Sequence, residues 1–163
     1  MESSFRVVRV LLVEDYQPFR GFVRATLEAR PGLQVIGEAS DGFEGVQKAR
    51  ELQPDLILLD IGLPTLNGIE AARRISKLVP AAIILFVSQG GDAEVVEEAL
   101  NNGARGYVRK QDASTDLVLA VEAVLRGEGF VSDLTQERAA YTLIQPASAA
   151  ATSPAPGSTR LRL

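Results

Sequence analysis

Four short apolar runs of this chain end in residues that phosphate chemistry uses. Residues 7–13 run Val-Val-Arg-Val-Leu-Leu-Val into Glu14-Asp15, and residues 55–59 run Asp-Leu-Ile-Leu-Leu into Asp60. Residues 82–87 run into Ser88, and Gly106-Tyr107-Val108-Arg109 delivers Lys110. An apolar strand has no structural use for a carboxylate at its tip. Several carboxylates together repel one another unless a cation offsets them. In an open parallel sheet, ligands bind in the crevice beyond the carboxyl ends of the strands. Acids, a hydroxyl and a lysine from distant parts of the sequence are therefore expected to meet in one place.

The segments between these runs carry helical periodicity. Pro18 opens a first helix with Phe19, Phe22, Val23, Thr26 and Leu27 at three- and four-residue spacing, and Pro31-Gly32 stops it. Residues 33–38 read as a second strand, Asp41-Gly42 as a turn, and Val46, Ala49 and Leu52 as a second helix ending before Pro54. Residues 68–75 form a third helix, closed by Pro80. Asp92 caps a fourth, carrying Val95, Val96, Ala99 and Leu100 until Asn101-Asn102-Gly103 ends it. Ser114 or Thr115 starts a fifth, with Leu117, Val121, Val124 and Leu125 on a core-facing stripe. Five strand–helix units thus alternate through the chain. Near-continuous Val/Ile/Leu strands indicate an α/β fold: a five-stranded parallel sheet, doubly wound, with helices on both faces. Tyr107 falls on the last, edge strand, where half-burial alone would account for it.

Composition narrows the chemistry. At 163 residues and 46% hydrophobic content, the chain buries one good core but hardly two. A net charge of −4 argues against nucleic-acid binding by the molecule as a whole. Cysteine and histidine are both absent, which removes thiolate chemistry, a histidine base and histidine metal ligands. Carboxylates remain as the metal ligands. The first apolar run is too short for a signal-peptide core or a membrane span, so a cytoplasmic protein without membrane association is expected. The domain is complete by residue 132. Residues 134–144 allow a short helix, and from Pro146 the Ala/Pro/Ser composition is that of a disordered tail. The division is thus 1–132 for the domain and 133–163 for the extension.

Glu14-Asp15, Asp60, Ser88, Tyr107 and Lys110 in this alternation resemble the receiver domain of bacterial two-component response regulators, a flavodoxin-like (βα)5 fold. The resemblance spans roughly residues 6–132. Its most specific stretch is Leu58-Leu59-Asp60-Ile61-Gly62-Leu63-Pro64-Thr65-Leu66-Asn67-Gly68. The segments 102–110 and 120–127 look most like receivers fused to LuxR-type helix-turn-helix domains. By that resemblance Asp60 is the phosphoacceptor, attacking the phosphorus of a phospho-histidine on a sensor histidine kinase. Attack by one anion on another needs charge neutralised, and Mg²⁺ prefers oxygen ligands. Asp15, Asp60 and the Gly62 carbonyl are the implied ligands, with Glu14 acting through water. Lys110 would pair a phosphoryl oxygen and Ser88 would donate a hydroxyl hydrogen bond. Tyr107 is the implied switch: it would rotate inward into space vacated by Ser88. That remodels the fourth helix, fifth strand and fifth helix, where a downstream protein target, a second receiver or a homodimer partner would dock. The implied role is a phosphoacceptor signalling domain, enzymatic at most in its own phosphorylation and dephosphorylation.

Several positions depart from the family pattern. Gln111 follows Lys110 where many receivers have proline. Gln89 follows Ser88 where a small residue is usual, and its bulk bears on the lifetime of the phosphorylated state. Residues 134–138 faintly resemble the entry to a LuxR-type DNA-binding domain, but no DNA-reading pattern follows. A stand-alone receiver is therefore the leading expectation, and a truncated transcription factor the alternative. A phosphatase with an aspartate nucleophile is remote, because the second aspartate of such enzymes would fall where Gly62 stands.

Overall fold

Side chains alternate across each strand with a period of two, and here both faces are apolar. In the first strand Val10 and Leu12 enter one core, while Leu11 and Val13 enter the other. A strand apolar on both faces must be covered on both, and five helices do so. The computed structural model of the chain describes residues 6–90 and 92–132.

The strands are β1 (Val8–Val13), β2 (Leu33–Ala39), β3 (Leu56–Leu59), β4 (Ile83–Ser88), β5 (Ala104–Arg109) and β6 (Phe130–Val131). They lie in the order β2-β1-β3-β4-β5-β6, and every pairing is parallel. The helices are α1 (Gln17–Glu28), α2 (Gly42–Leu52), α3 (Gly68–Leu78), α4 (Ala93–Asn101) and α5 (Ala113–Leu125). Val23 and Leu27 of α1 share one core with Leu117, Ala120, Val121 and Val124 of α5. Ala49 of α2, Ala71, Ala72 and Ile75 of α3, and Val96 and Ala99 of α4 fill the other. This is the doubly wound α/β class expected from the sequence.

Strand order runs from β1 outward to β2 and then returns to β3 on the other side. The connections therefore diverge between β1 and β3, leaving a crevice above their carboxyl ends. Glu14 and Asp60 stand one residue beyond those ends.

Two details differ from expectation. The sheet has a sixth strand, in which Phe130 and Val131 pair with Gly106 and Tyr107. Two residues are too few to show a period, so the sequence gives no strand signal there. Tyr107 consequently lies inside the sheet and is fully buried. The fifth helix starts at Ala113 rather than at Ser114 or Thr115, because a 3₁₀ turn over Lys110–Asp112 leads into it. The N-cap of α1 is Tyr16, with no side-chain cap bond. Elsewhere Asp41, Asn67 and Asp92 cap α2, α3 and α4 by accepting from Glu44, Glu70 and Val95 N–H groups. The expected short helix at 134–144, the tail beyond it and Gly91 lie outside the described residues.

Candidate functional site

Above the carboxyl ends of β1, β3 and β4, four strand-end side chains converge on Asp60. Its carboxylate is 5% exposed and both oxygens are engaged. The Ser88 hydroxyl donates to Oδ1 at 2.8 Å and the Gly62 N–H to the same oxygen at 3.3 Å. The Lys110 ammonium reaches Oδ2 at 3.2 Å. Apolar β3 places this carboxylate by burying all four of its residues, so the strand cannot slide and Asp60 is fixed at its end.

Glu14 and Asp15 leave β1 in different directions. Glu14 is buried and receives Lys110 on both oxygens, at 2.9 Å and 3.0 Å, and the Tyr16 N–H at 2.9 Å. Asp15 is exposed and lines the open cleft with Tyr16, Phe19, Asp60, Gly62, Ser88, Gln89 and Lys110. One carboxylate oxygen from each of Glu14, Asp15 and Asp60 falls within a 4.8 Å cluster. Burial, with the Asp60 charge adding to it, pushes the Glu14 carboxyl above its ordinary pKa despite the bonds from Lys110 and Tyr16. Burial alone would lower Lys110. The Glu14 hydrogen bond and the charges of Asp60 and Glu14 outweigh it, so the ammonium is held above its usual value.

Lys110 also sits 4.9 Å from the centroid of the Phe19 ring. This cation–π contact fixes the long side chain from the α1 side. Helical spacing marked Phe19 only as a core residue, and no sequence signal distinguishes the two roles.

Three carboxylates face one ammonium, which leaves the cluster short of positive charge. All the donors are hard oxygens, and Asp15 is unbonded among the described residues. That donor set suits a small divalent cation such as Mg²⁺. The residues expected for the metal are thus brought together, with Glu14 turned toward Lys110 and Asp15 toward the cleft.

Tyr107 lies behind Ser88. Its hydroxyl donates to the Gly90 carbonyl and its ring packs 6.4 Å from that of Phe86. Burial, the largest influence, raises its phenol above the ordinary value, so it stays a neutral donor. Tyr107, the residue expected to act as the switch, is buried, and Ser88 reaches Asp60.

Residues 10–122 match the family model described as the response regulator receiver domain. The chain belongs to that family, the signal-receiving part of two-component systems. It is 38% identical over 122 residues to the transcriptional regulatory protein LiaR of Bacillus subtilis, covering 75% of this chain and 58% of that protein. It is 42% identical over 113 residues to a protein-glutamate methylesterase/protein-glutamine glutaminase of Thermotoga maritima, covering 69% of this chain and 33% of that one. The chain thus spans between a third and just under three fifths of the length of these relatives. A crystal structure of a LuxR-family two-component response regulator from Aurantimonas sp. SI85-9A1 superposes with a TM-score of 0.77 at 36% identity, over 83% of this chain and 98% of that one. No helix among the described residues is long and apolar enough to cross a membrane.

Proposed function

We propose that residues 1–132 form a Mg²⁺-dependent receiver that accepts a phosphoryl group on Asp60 from a phospho-histidine of a sensor kinase. The observation that carries this reading is the disposition of Asp60: a buried carboxylate held by Ser88 and Lys110 at the mouth of an open cleft. This carboxylate is oriented by a hydroxyl and an ammonium, the groups that a phosphoryl oxygen would take over.

In the reaction an Asp60 oxygen bonds to phosphorus as the P–N bond of the donor breaks and its electron pair returns to the imidazole. Asp15, Asp60 and the Gly62 carbonyl would hold Mg²⁺, with Glu14 reaching it through water. A bound Mg²⁺ neutralises charge on the phosphoryl oxygens. Lys110 and Ser88 move their hydrogen bonds from the carboxylate to the phosphoryl oxygens, and Gln89 stands at the rim where water would approach. Because Lys110 stays protonated and Tyr107 neutral, neither gives up a proton during transfer. Downstream, the surface of α4, β5 and α5 would dock a target protein, a second receiver or another copy of this chain.

Intact-mass spectrometry after incubation with acetyl phosphate and Mg²⁺ tests the reading. One acid-labile phosphoryl group should appear on wild type and none on Asp60→Asn. Equal uptake by the variant sinks the assignment.

A further inference from the structure

The loop that follows Asp60 contains an outlier. Thr65 has φ +66°, a left-handed conformation that β-branched residues rarely adopt. Such a conformation persists where the surroundings over-determine it, and it concentrates at functional sites. The surroundings here belong to another element, the N-terminus of α2. The Thr65 hydroxyl donates to Asp41 Oδ1 at 3.2 Å. The Gly42 N–H donates to the Pro64 carbonyl at 3.2 Å, and the Leu66 N–H to the same oxygen at 2.7 Å. The Leu66 carbonyl presses so close to Gly42 that a Cβ there would lie 1.9 Å from its oxygen. Residues 64–66 are thus docked on the start of α2.

The same loop carries Gly62, whose N–H bonds Asp60 and whose residue lines the cleft. Nothing lies within 4 Å of the position a Cβ would take on Gly62. Gly62 therefore has no side-chain packing of its own, and its backbone is held through its neighbours. Ile61 accepts the Leu63 and Gly68 N–H groups, Leu63 is buried in the core, and the docked stretch at 64–66 is the next fixed point along the loop.

We infer that Asp41 and Thr65 form a latch that positions Gly62 for the metal-dependent chemistry of Asp60. The latch rests on the receiver reading given above. Thr65 is a positioning residue: exposed, remote from the reacting atoms, and acting through the loop. In its left-handed conformation the Thr65 hydroxyl reaches Asp41.

Three substitutions separate strain from hydrogen bonding. Thr65→Val keeps β-branching and loses the donor, Thr65→Ser keeps the donor, and Thr65→Gly loses both strain and donor. Mg²⁺ is titrated into ¹⁵N-labelled full chain, following the Gly62 amide, and thermal unfolding is recorded without metal. Thr65→Val and Thr65→Gly should weaken Mg²⁺ binding about three- to tenfold, the range a single net hydrogen bond commands. Thr65→Ser should bind close to wild type. Thr65→Gly should unfold at the wild-type temperature or above while binding Mg²⁺ less well, whereas a merely structural role lowers both together. Wild-type affinity in the Val and Gly variants overturns the latch and leaves the Asp60 assignment standing. So does a Ser variant as weak as Val. If the Val variant does not fold, Gly against Ser makes the same comparison. No Mg²⁺ binding by wild type overturns the metal site and the latch with it.

Discussion

Glu14 and Asp15 are neighbours of like charge with opposite surroundings. Glu14 is buried against Lys110, whereas Asp15 faces the cleft with no partner among the described residues. A buried carboxyl with a raised pKa weakens the fold at neutral pH, and so do three clustered acids. Mg²⁺ binding to the native state should offset this, stabilising by RT ln(1 + [L]/Kd), about 2.7 kcal/mol at a hundredfold excess over Kd. Asp15→Asn should lose most of that thermal shift and most phosphoryl uptake while folding normally in the absence of metal. An unchanged shift, read by differential scanning fluorimetry with and without Mg²⁺, would place the metal elsewhere. Gly68 makes a second case at this scale. A Cβ on it would lie 1.9 Å from the Asp60 carbonyl oxygen, so α3 begins directly beneath Asp60. Gly68→Ala should destabilise by about 1–3 kcal/mol, as overpacking does, and slow uptake at Asp60. Urea unfolding and intact mass measure the two effects. The acids, Ser88 and Lys110 were legible in the sequence because a polar residue at the tip of an apolar strand breaks a pattern. Thr65 was not, since no local signal predicts a left-handed threonine.

Elements set where those residues go, and α1 shows how one is held. Arg20 and Arg24 of α1 both pair with Glu38 of β2, and Arg20 also donates to the Glu14 carbonyl at 2.6 Å. Burial would raise the Glu38 carboxyl, but its hydrogen bonds from Arg20 and Arg24 outweigh this and hold it below the ordinary range. A native pKa below the unfolded one adds stability that is fully present above the unfolded value. That stability is lost as pH falls through the native value. Glu38→Gln should therefore weaken the fold at pH 7 by about 1 kcal/mol or less, given its partial exposure. The difference from wild type should vanish in acid, as urea unfolding across a pH series would reveal. A gap that persists at low pH would mean packing, not charge, is the cause. Helix periods and strand runs made five units legible. Two features escaped: β6, with two residues, carries no period, and the 3₁₀ turn shifts the start of α5 to Ala113. β6 depends on its pairing with β5, whereas the 3₁₀ turn is closed by the Ala113 N–H on the Lys110 carbonyl.

At the scale of the whole molecule, β6 changes how Tyr107 is enclosed. Tyr107 is enclosed between β4 and β6, and its carbonyl accepts the Ser132 N–H at 2.8 Å. The Ser132 hydroxyl in turn accepts from the Arg109 N–H and donates to Asp116 of α5, each at 3.0 Å. The site and the α4–β5–α5 face are thereby joined through β5 by hydrogen bonds rather than by proximity alone. Tyr107 is buried and Ser88 bonds Asp60, which is the arrangement a phosphoryl group on Asp60 would favour or oppose. Phosphorylation would then shift its population, and only by as much as the phosphoryl group binds one state better than the other. Beryllofluoride with Mg²⁺ should shift amide resonances from Asp60 outward to α4, β5 and α5, including Ser132. Ser88→Ala should confine the shifts to the pocket, because the hydroxyl linking Asp60 to the space beside Tyr107 is gone. Shifts confined to the pocket in wild type would mean that phosphorylation leaves this arrangement unchanged. The chain would then accept phosphate without switching.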